Sequence, residues 1–251
     1  MGHKVHPKVF RLSTIGSWDS KWFAKKGYKQ FLKQDVQIRA YLKKKLREAA
    51  VDRILIDRAR QNVTVTIHTA KPGFIIGRAG AGIDDLKAEL KRMFFRGQRA
   101  VIQVNVQDIG QGSLSAPIVA EQVAMELERR MPFRRVMKQT IDRVMKSGAG
   151  GIRIIVAGRL NGADIARTER IGQGKIPLQN LRANIQYAQA QANTMFGAIG
   201  VKVWIYLGDV FGDKIEEVQA LPSVRAPRGG ERGERRSAAV RGRRPLAPKT
   251  R

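Results

Sequence analysis

At 251 residues and 43% hydrophobic content, the chain can bury one or two compact cores, which excludes disorder throughout. Its 48 Lys and Arg against 21 Asp and Glu give a formal net charge of +27, unsuited to an ordinary soluble enzyme and suited to a polyanion, with nucleic acid the leading partner. The absence of cysteine excludes disulfide frameworks, thiolate zinc sites and cysteine nucleophiles; with no apolar stretch of spanning length and no secretory signal, the expected location is the cytoplasm.

The charge is uneven: residues 1–49 carry 13 basic and 3 acidic side chains, residues 50–218 carry 25 and 16, and residues 219–251 carry 10 and 2. Basic arms therefore flank a milder body. The first arm, residues 1–35, interleaves Trp18, Trp22, Phe23, Tyr28 and Phe31 with Lys21, Lys25, Lys26, Lys29 and Lys33. Such rings can stack on bases while lysines meet phosphates. Aromatics more often anchor packing, so the arm is read as packed onto the first domain with its lysines outward.

From Val36, Ile38, Tyr41, Leu42, Leu46 and Ala49 recur at helical spacing and predict an amphipathic helix. Ile54–Ile56 and Val63–Ile67 predict two strands around a polar turn at Arg60, Gln61 and Asn62. A short helix then leads into Gly77-Arg78-Ala79-Gly80, followed by a stripe of Ile83, Leu86, Leu90, Met93 and Phe94 and by a third strand through Ile102, Val104 and Val106. Two glycines three apart clear side chains where a loop must approach a sugar-phosphate backbone, and the next helix adds amide donors and a positive dipole end. This order, with Gly-x-x-Gly between helices, reads as a type II KH domain over residues 36–109. A lone Gly-x-x-Gly would be an ordinary turn; its context carries the assignment.

Residues 110–212 form the expected second domain. Ser115 is placed to cap a helix with Pro117 in its first turn, and Val119, Val123, Ala124 and Leu127 give it a buried stripe until Pro132 interrupts it. A second helix spans about 133–146. Strands are predicted over 152–157, 165–171, 183–190 and 199–207, with Asn161-Gly162 as the hairpin signal between the first two. The fold class is α+β: an N-terminal type II KH domain followed by a two-layer domain of two helices and a four-stranded antiparallel sheet. Residues 213–251, rich in Arg, Gly and Pro, are expected to be a disordered basic tail.

The second helix begins in a run of cations, Arg129, Arg130, Arg134, Arg135 and Lys138, with no acid before Asp142. Arg134 and Arg135 share a helix face with Lys138, where each like-charged pair costs roughly 0.2–0.5 kcal/mol. A solvated face and a phosphate-binding face are both compatible with this cluster. Asp84, Asp85, Asp164 and Glu169 lack the context of a metal nuclease and read as helix-end or surface-pair residues. His3, His6 and His68 have no metal-ligand spacing, neither Gly80-Ala81-Gly82 nor Gly172-Gln173-Gly174-Lys175 matches a nucleotide-binding loop, and no Ser/His/Asp set is found. No catalytic residue, metal or cofactor is expected.

The opening Met1-Gly2-His3-Lys4-Val5-His6-Pro7, the run from Trp18 to Arg39, the Gly77–Gly80 motif, Gly158-Arg159-Leu160-Asn161-Gly162-Ala163-Asp164-Ile165-Ala166-Arg167 and Gly200–Ile205 together resemble the bacterial ribosomal protein S-three family over about residues 1–212. Val9 stands where that family usually has glycine. The resemblance implies a structural constituent of the small-subunit head that binds small-subunit rRNA and adjoins ribosomal proteins S-ten and S-fourteen at the mRNA entrance. It also implies that Arg134, Arg135 and Lys138, with Arg129 and Arg130 as weaker candidates, help unwind incoming mRNA without nucleotide hydrolysis. Gly77, Arg78, Ala79 and Gly80 are the RNA-binding candidates of the KH loop. Two rivals differ in class: a free KH-domain regulator or ribosome assembly factor, which leaves the second domain unexplained, and a nucleic-acid lyase or nuclease, which needs a base or amine nucleophile that the sequence does not single out among its lysines.

Overall fold

The computed structural model describes residues 4–59, 62–96 and 100–211. In chain order the elements are α1 (Pro7–Phe10), β1 (Ser20–Lys21), α2 (Tyr28–Lys45), β2 (Val51–Arg58), β3 (Asn62–Thr69), α3 (Pro72–Ile76), α4 (Ala81–Phe94), β4 (Val101–Asp108), α5 (Ala116–Glu128), α6 (Phe133–Lys146), β5 (Gly151–Gly158), β6 (Arg167–Gly174), β7 (Ala183–Thr194) and β8 (Gly197–Asp209). They build an α+β chain with two four-stranded sheets.

The first sheet has the order β1-β2-β3-β4, with β2 and β3 antiparallel and both outer pairs parallel. Its core joins Ile38 and Leu42 of α2 to Ile54 and Ile56 of β2, Val65 and Ile67 of β3, Ile75 of α3 and Leu86 and Leu90 of α4. The period of two in the strands and of 3.6 in the helices delivers these residues to one layer. On the other side of β3, Thr66 and His68 are buried as well.

The second sheet has the order β6-β5-β8-β7 and is antiparallel throughout. Helices α5 and α6 pack on it through Val119, Val123 and Leu127, and through Val136, Met137, Ile141 and Val144, against Ile152, Ile154, Val156, Val201, Val203 and Ile205. The two parts are joined by polar contacts as well as chain: Arg47 Nη2 pairs with Glu128 at 2.7 Å, and β2 contacts α5.

Several expectations are corrected. Helix α2 starts at Tyr28, not near Val36, because Gly27 at φ 83° turns the chain into it and its carbonyl accepts from the amides of Gln30 and Phe31. The lysine-rich first turns carry little apolar periodicity, so the pattern signalled only the buried half. Ser115 occupies the N-cap position of α5, but its hydroxyl donates to Asp52 Oδ1 instead of accepting from the helix. Asn161-Gly162 does not close a tight hairpin: both have positive φ, but they form a 3-10 turn inside the longer connection of residues 159–166, and β6 starts at Arg167. The tight hairpin lies instead at Met195–Phe196, where Thr194 pairs with Gly197.

The arm divides its loyalties. Trp22 donates from Nε1 to Asp35 at 2.7 Å and packs on Tyr28 and Phe31, as anticipated, yet Trp18 and Phe23 are exposed. Its first residues dock on the second domain rather than the first. His6 meets Tyr187 edge to face at 4.8 Å, and the buried Arg11 donates from Nη2 to the carbonyls of Leu178 and Asn180 at 2.8 and 2.9 Å. Asn62 opens β3; Arg60 and Gln61 of the expected turn, and the tail from 213 onward, lie outside the described residues.

Candidate nucleic-acid interface

The Gly-rich loop is mounted between two helices that are themselves nailed to the first core. Pro72 at the first position of α3 suits the helix start, and Ile75, 2% exposed, anchors it. The chain then turns through Gly77 at φ 69°, Ala79 at φ 52° and Gly80 at φ 85° before α4 begins at Ala81. Gly77, Arg78 and Ala79 are exposed. The backbone is thus presented outward in a conformation that L side chains rarely adopt, most readily held by glycine.

A further glycine completes the turn. A Cβ on Gly82 would stand 2.6 Å from the Ile75 carbonyl oxygen, and one on Gly77 would stand 3.0 Å from the Gly82 amide nitrogen. The two glycines let the end of α3 cross the start of α4 at backbone contact. Gly82 was not among the sequence candidates, although its place directly after the motif was the available signal. Behind the loop, Glu89 of α4 accepts from Tyr41 and Lys45 of α2, which holds the Glu89 carboxyl below its usual range and raises the Lys45 and Tyr41 groups. These bonds pin α4 to α2 and fix the platform that carries the loop.

The second basic surface starts where α5 ends. Arg130 reverses the chain at φ 62°, Pro132 occupies the N-cap of α6, and its carbonyl accepts from the amides of Arg135 and Val136 at 3.0 and 3.1 Å. Phe133, Val136 and Met137 are buried, so Arg134, Arg135 and Lys138 are forced outward on a helix whose first turn contains no acid. Cations at the positive end of a helix are disfavoured by about 0.3–1 kcal/mol each. That placement concentrates positive potential on a rigid face.

One acid does reach this face, from across the sheet. Glu169 of β6 lies 3.8 Å from Arg134 and 3.7 Å from Arg167, and both guanidinium groups stand over the Phe133 ring at 5.8 and 5.7 Å. The run has no acid before Asp142 in sequence, and Glu169 reaches it only because β6 approaches α6 in the folded domain. Arg135 and Lys138 have no ion-pair partner among the described residues. Arg129 is exposed at the α5 end, and Arg130 reaches Met195 Sδ from Nη2 at 2.9 Å.

The acids considered for metal chemistry are dispersed: Asp84 pairs with Lys87, Asp164 with Arg159, and Glu169 with arginines. Among the described residues no group of three His, Asp or Glu side chains is placed to hold a metal ion, and no helix is long and apolar enough to cross a membrane. The arrangement can hold polyphosphate strands by charge and by backbone amides.

Comparison with known proteins matches residues 37–114 to the KH domain family and residues 123–205 to the family described as Ribosomal protein S3, C-terminal domain. The chain is 47% identical over 235 residues to the small ribosomal subunit protein uS3 of Desulforamulus reducens, covering 93% of this chain and 100% of that one. It is 50% identical over 215 residues to the uS3 of Caldicellulosiruptor saccharolyticus, covering 85% and 96%, and 46% identical over 219 residues to that of Listeria monocytogenes, covering 87% and 99%.

Proposed function

Because the chain belongs to the uS3 family and so is a structural, non-enzymatic constituent of the small ribosomal subunit, we propose that its α6 face lines the path by which mRNA enters and helps separate paired message there. As a member of that family it works in the cytoplasm as part of the ribonucleoprotein formed with small-subunit rRNA. The observation that carries the finer reading is the exposed row of Arg134, Arg135 and Lys138 on a helix whose opposite side is locked into the second core. A fixed row of cations holds the phosphates of separated strands, while movement of the ribosome along the message supplies the work. Arg129 and Arg130 contribute charge at the edge of the path.

The Gly77, Arg78, Ala79 and Gly80 loop takes a single-stranded RNA backbone in the manner of KH domains, supported by its exposed left-handed turn. Ribosomal proteins S-ten and S-fourteen are the proposed neighbours in the subunit head. The deciding experiment replaces Arg134, Arg135 and Lys138 together by Ala. Alanine favours helix and the exchange relieves like-charge repulsion, so incorporation into subunits persists. Mutant ribosomes should read an unstructured message at nearly normal speed and slow at a stable hairpin. Equal hairpin delays in mutant and wild type, with the mutant protein confirmed in the particles, would remove the unwinding role.

A further inference from the structure

The tip of the β7–β8 hairpin exposes apolar surface that the functions above do not use. Met195 is 76% exposed and Phe196 50%, and Ile165, in the neighbouring connection, is 83% exposed. Yet the Phe196 ring is seated rather than loose. It lies against Gly162, where a Cβ would stand 3.0 to 3.2 Å from ring carbons Cε2, Cζ and Cδ2, so any side chain at 162 would push the ring outward by a few tenths of an ångström. The Arg159 guanidinium stands 5.9 Å from the ring centroid and is itself fixed by donation to the Ala163 carbonyl at 2.9 Å and by pairing with Asp164 at 3.2 Å.

The hairpin is also tied to the corner from which α6 starts. The Asn193 amide donates to Glu128 Oε1 at 3.1 Å, and Arg130 Nη2 reaches Met195 Sδ at 2.9 Å. Two residues beyond Arg130 lies the N-cap of α6, so the Arg130–Met195 contact brings the hairpin tip to the corner between α5 and α6. A held aromatic ring next in sequence to the residue that the exposed Arg130 contacts has the chemistry of a stacking platform for a base whose phosphate the arginine meets. A protein segment docking through apolar contact alone would gain nothing from the neighbouring Arg130 guanidinium.

We propose that Phe196 is a stacking subsite for an unpaired base of the incoming message, with Met195 and Ile165 as its apolar border and Arg130 as the adjacent phosphate contact. The proposal deepens, and rests on, the reading that the α6 face holds that strand. It predicts that the site favours base-bearing single strands over a bare sugar-phosphate chain, a preference that cations alone do not create.

The test uses small subunits programmed with a message carrying 4-thiouridine downstream of the decoding site, irradiated and mapped by peptide. Wild-type subunits should crosslink both at the α6 peptide and at the peptide containing Phe196. In Phe196→Leu, which keeps an apolar side chain on Gly162, the second crosslink should fall at least fivefold while the first persists. Crosslinking at α6 without any at residue 196 overturns the stacking site, as does a tip shielded by rRNA or by a neighbouring protein; absence of both crosslinks removes the underlying α6 reading. As a second measurement, the full chain should lose about tenfold in affinity for a single-stranded oligoadenylate on Phe196→Leu and none for an abasic strand of equal length. Equal affinities of wild type and variant for both strands also overturn the proposal.

Discussion

Asp35 of α2 and Arg58 of β2 form an ion pair from which solvent is almost excluded, their side chains 0% and 8% exposed. Arg58 Nε donates to Asp35 Oδ1 at 2.9 Å, while Ser20 Oγ and Trp22 Nε1 donate to Oδ2 at 2.9 and 2.7 Å. The Arg58 guanidinium also stands over the rings of Phe31 and Phe95, at 5.2 and 5.7 Å. One carboxylate therefore holds the arm, α2 and the sheet together. Breaking such a pair leaves a buried charge uncompensated, so Arg58→Met should destabilise the protein by about 3–5 kcal/mol. Asp35→Asn combined with Arg58→Met should recover part of that loss. Thermal melting of the two variants beside wild type checks this, and an Arg58→Met protein that melts with wild type would show the pair to be dispensable.

Replacing Arg78 and Ala79 by Asp should weaken binding of the isolated protein to single-stranded RNA, because two carboxylates would stand where the backbone of the strand comes closest. The fold should survive, since both positions are exposed and Asp tolerates the left-handed conformation that Ala79 holds at φ 52°. Gly82→Ala should behave differently. Its Cβ meets the Ile75 carbonyl at 2.6 Å, so the α3–α4 crossing must open and both stability and RNA binding should drop. Titration of a labelled RNA with melting curves on the same samples separates the two effects.

The imidazole of His68, buried in β3 with Nε2 unpartnered, is held below its usual 6.5, chiefly by desolvation and then by Arg53, with Asp52 opposing. A depressed histidine binds its proton more readily in the unfolded chain than in the folded one. Where the unfolded state binds more protons, stability rises with pH, so stability is lost as pH falls below about 6.5 and the loss continues down to the lower folded value. In His68→Gln this component is gone. Melting temperatures at pH 7.5 and 5.5 should therefore diverge less in the variant than in wild type, and identical divergence would exclude His68 as the titrating group.

Most of the layer structure was legible because the buried residues repeat at the period of their elements, as in Val123 and Leu127 of α5 or Ile152, Ile154 and Val156 of β5. The KH loop was legible because its glycines stand at a fixed spacing. What sequence pattern could not supply were contacts between distant segments. Arg11 and Asn180 are 169 residues apart, and nothing local marks Arg11 as a buried donor to that carbonyl. Ser115 reads as a cap until Asp52 is seen to accept the hydrogen bond of its hydroxyl. Asn161-Gly162 carries the dihedrals of a tight turn, but the ring of Phe196, not a strand register, decides what that turn serves. Glu169 belongs to the same class: an unremarkable strand residue by sequence, and an acid at the basic face once β6 is paired.

That position gives the last prediction. Glu169 is partly exposed, so Glu169→Gln should change stability by no more than about 0.5 kcal/mol. Its effect on RNA should be larger than its effect on folding. Removing the carboxylate frees Arg134 and Arg167 together and takes away a negative charge from the approach of a phosphate. A unit charge about 6 Å away in water is worth about 0.7 kcal/mol, or about threefold in affinity. Glu169→Gln should therefore bind single-stranded RNA about threefold more tightly than wild type at low salt, and the advantage should shrink as salt rises. In the Arg134→Ala, Arg135→Ala, Lys138→Ala background the same exchange should gain less, because only Arg167 is left to be released. A gain equally large in both backgrounds would mean that Glu169 acts as a diffuse surface charge and that Arg134 makes no phosphate contact.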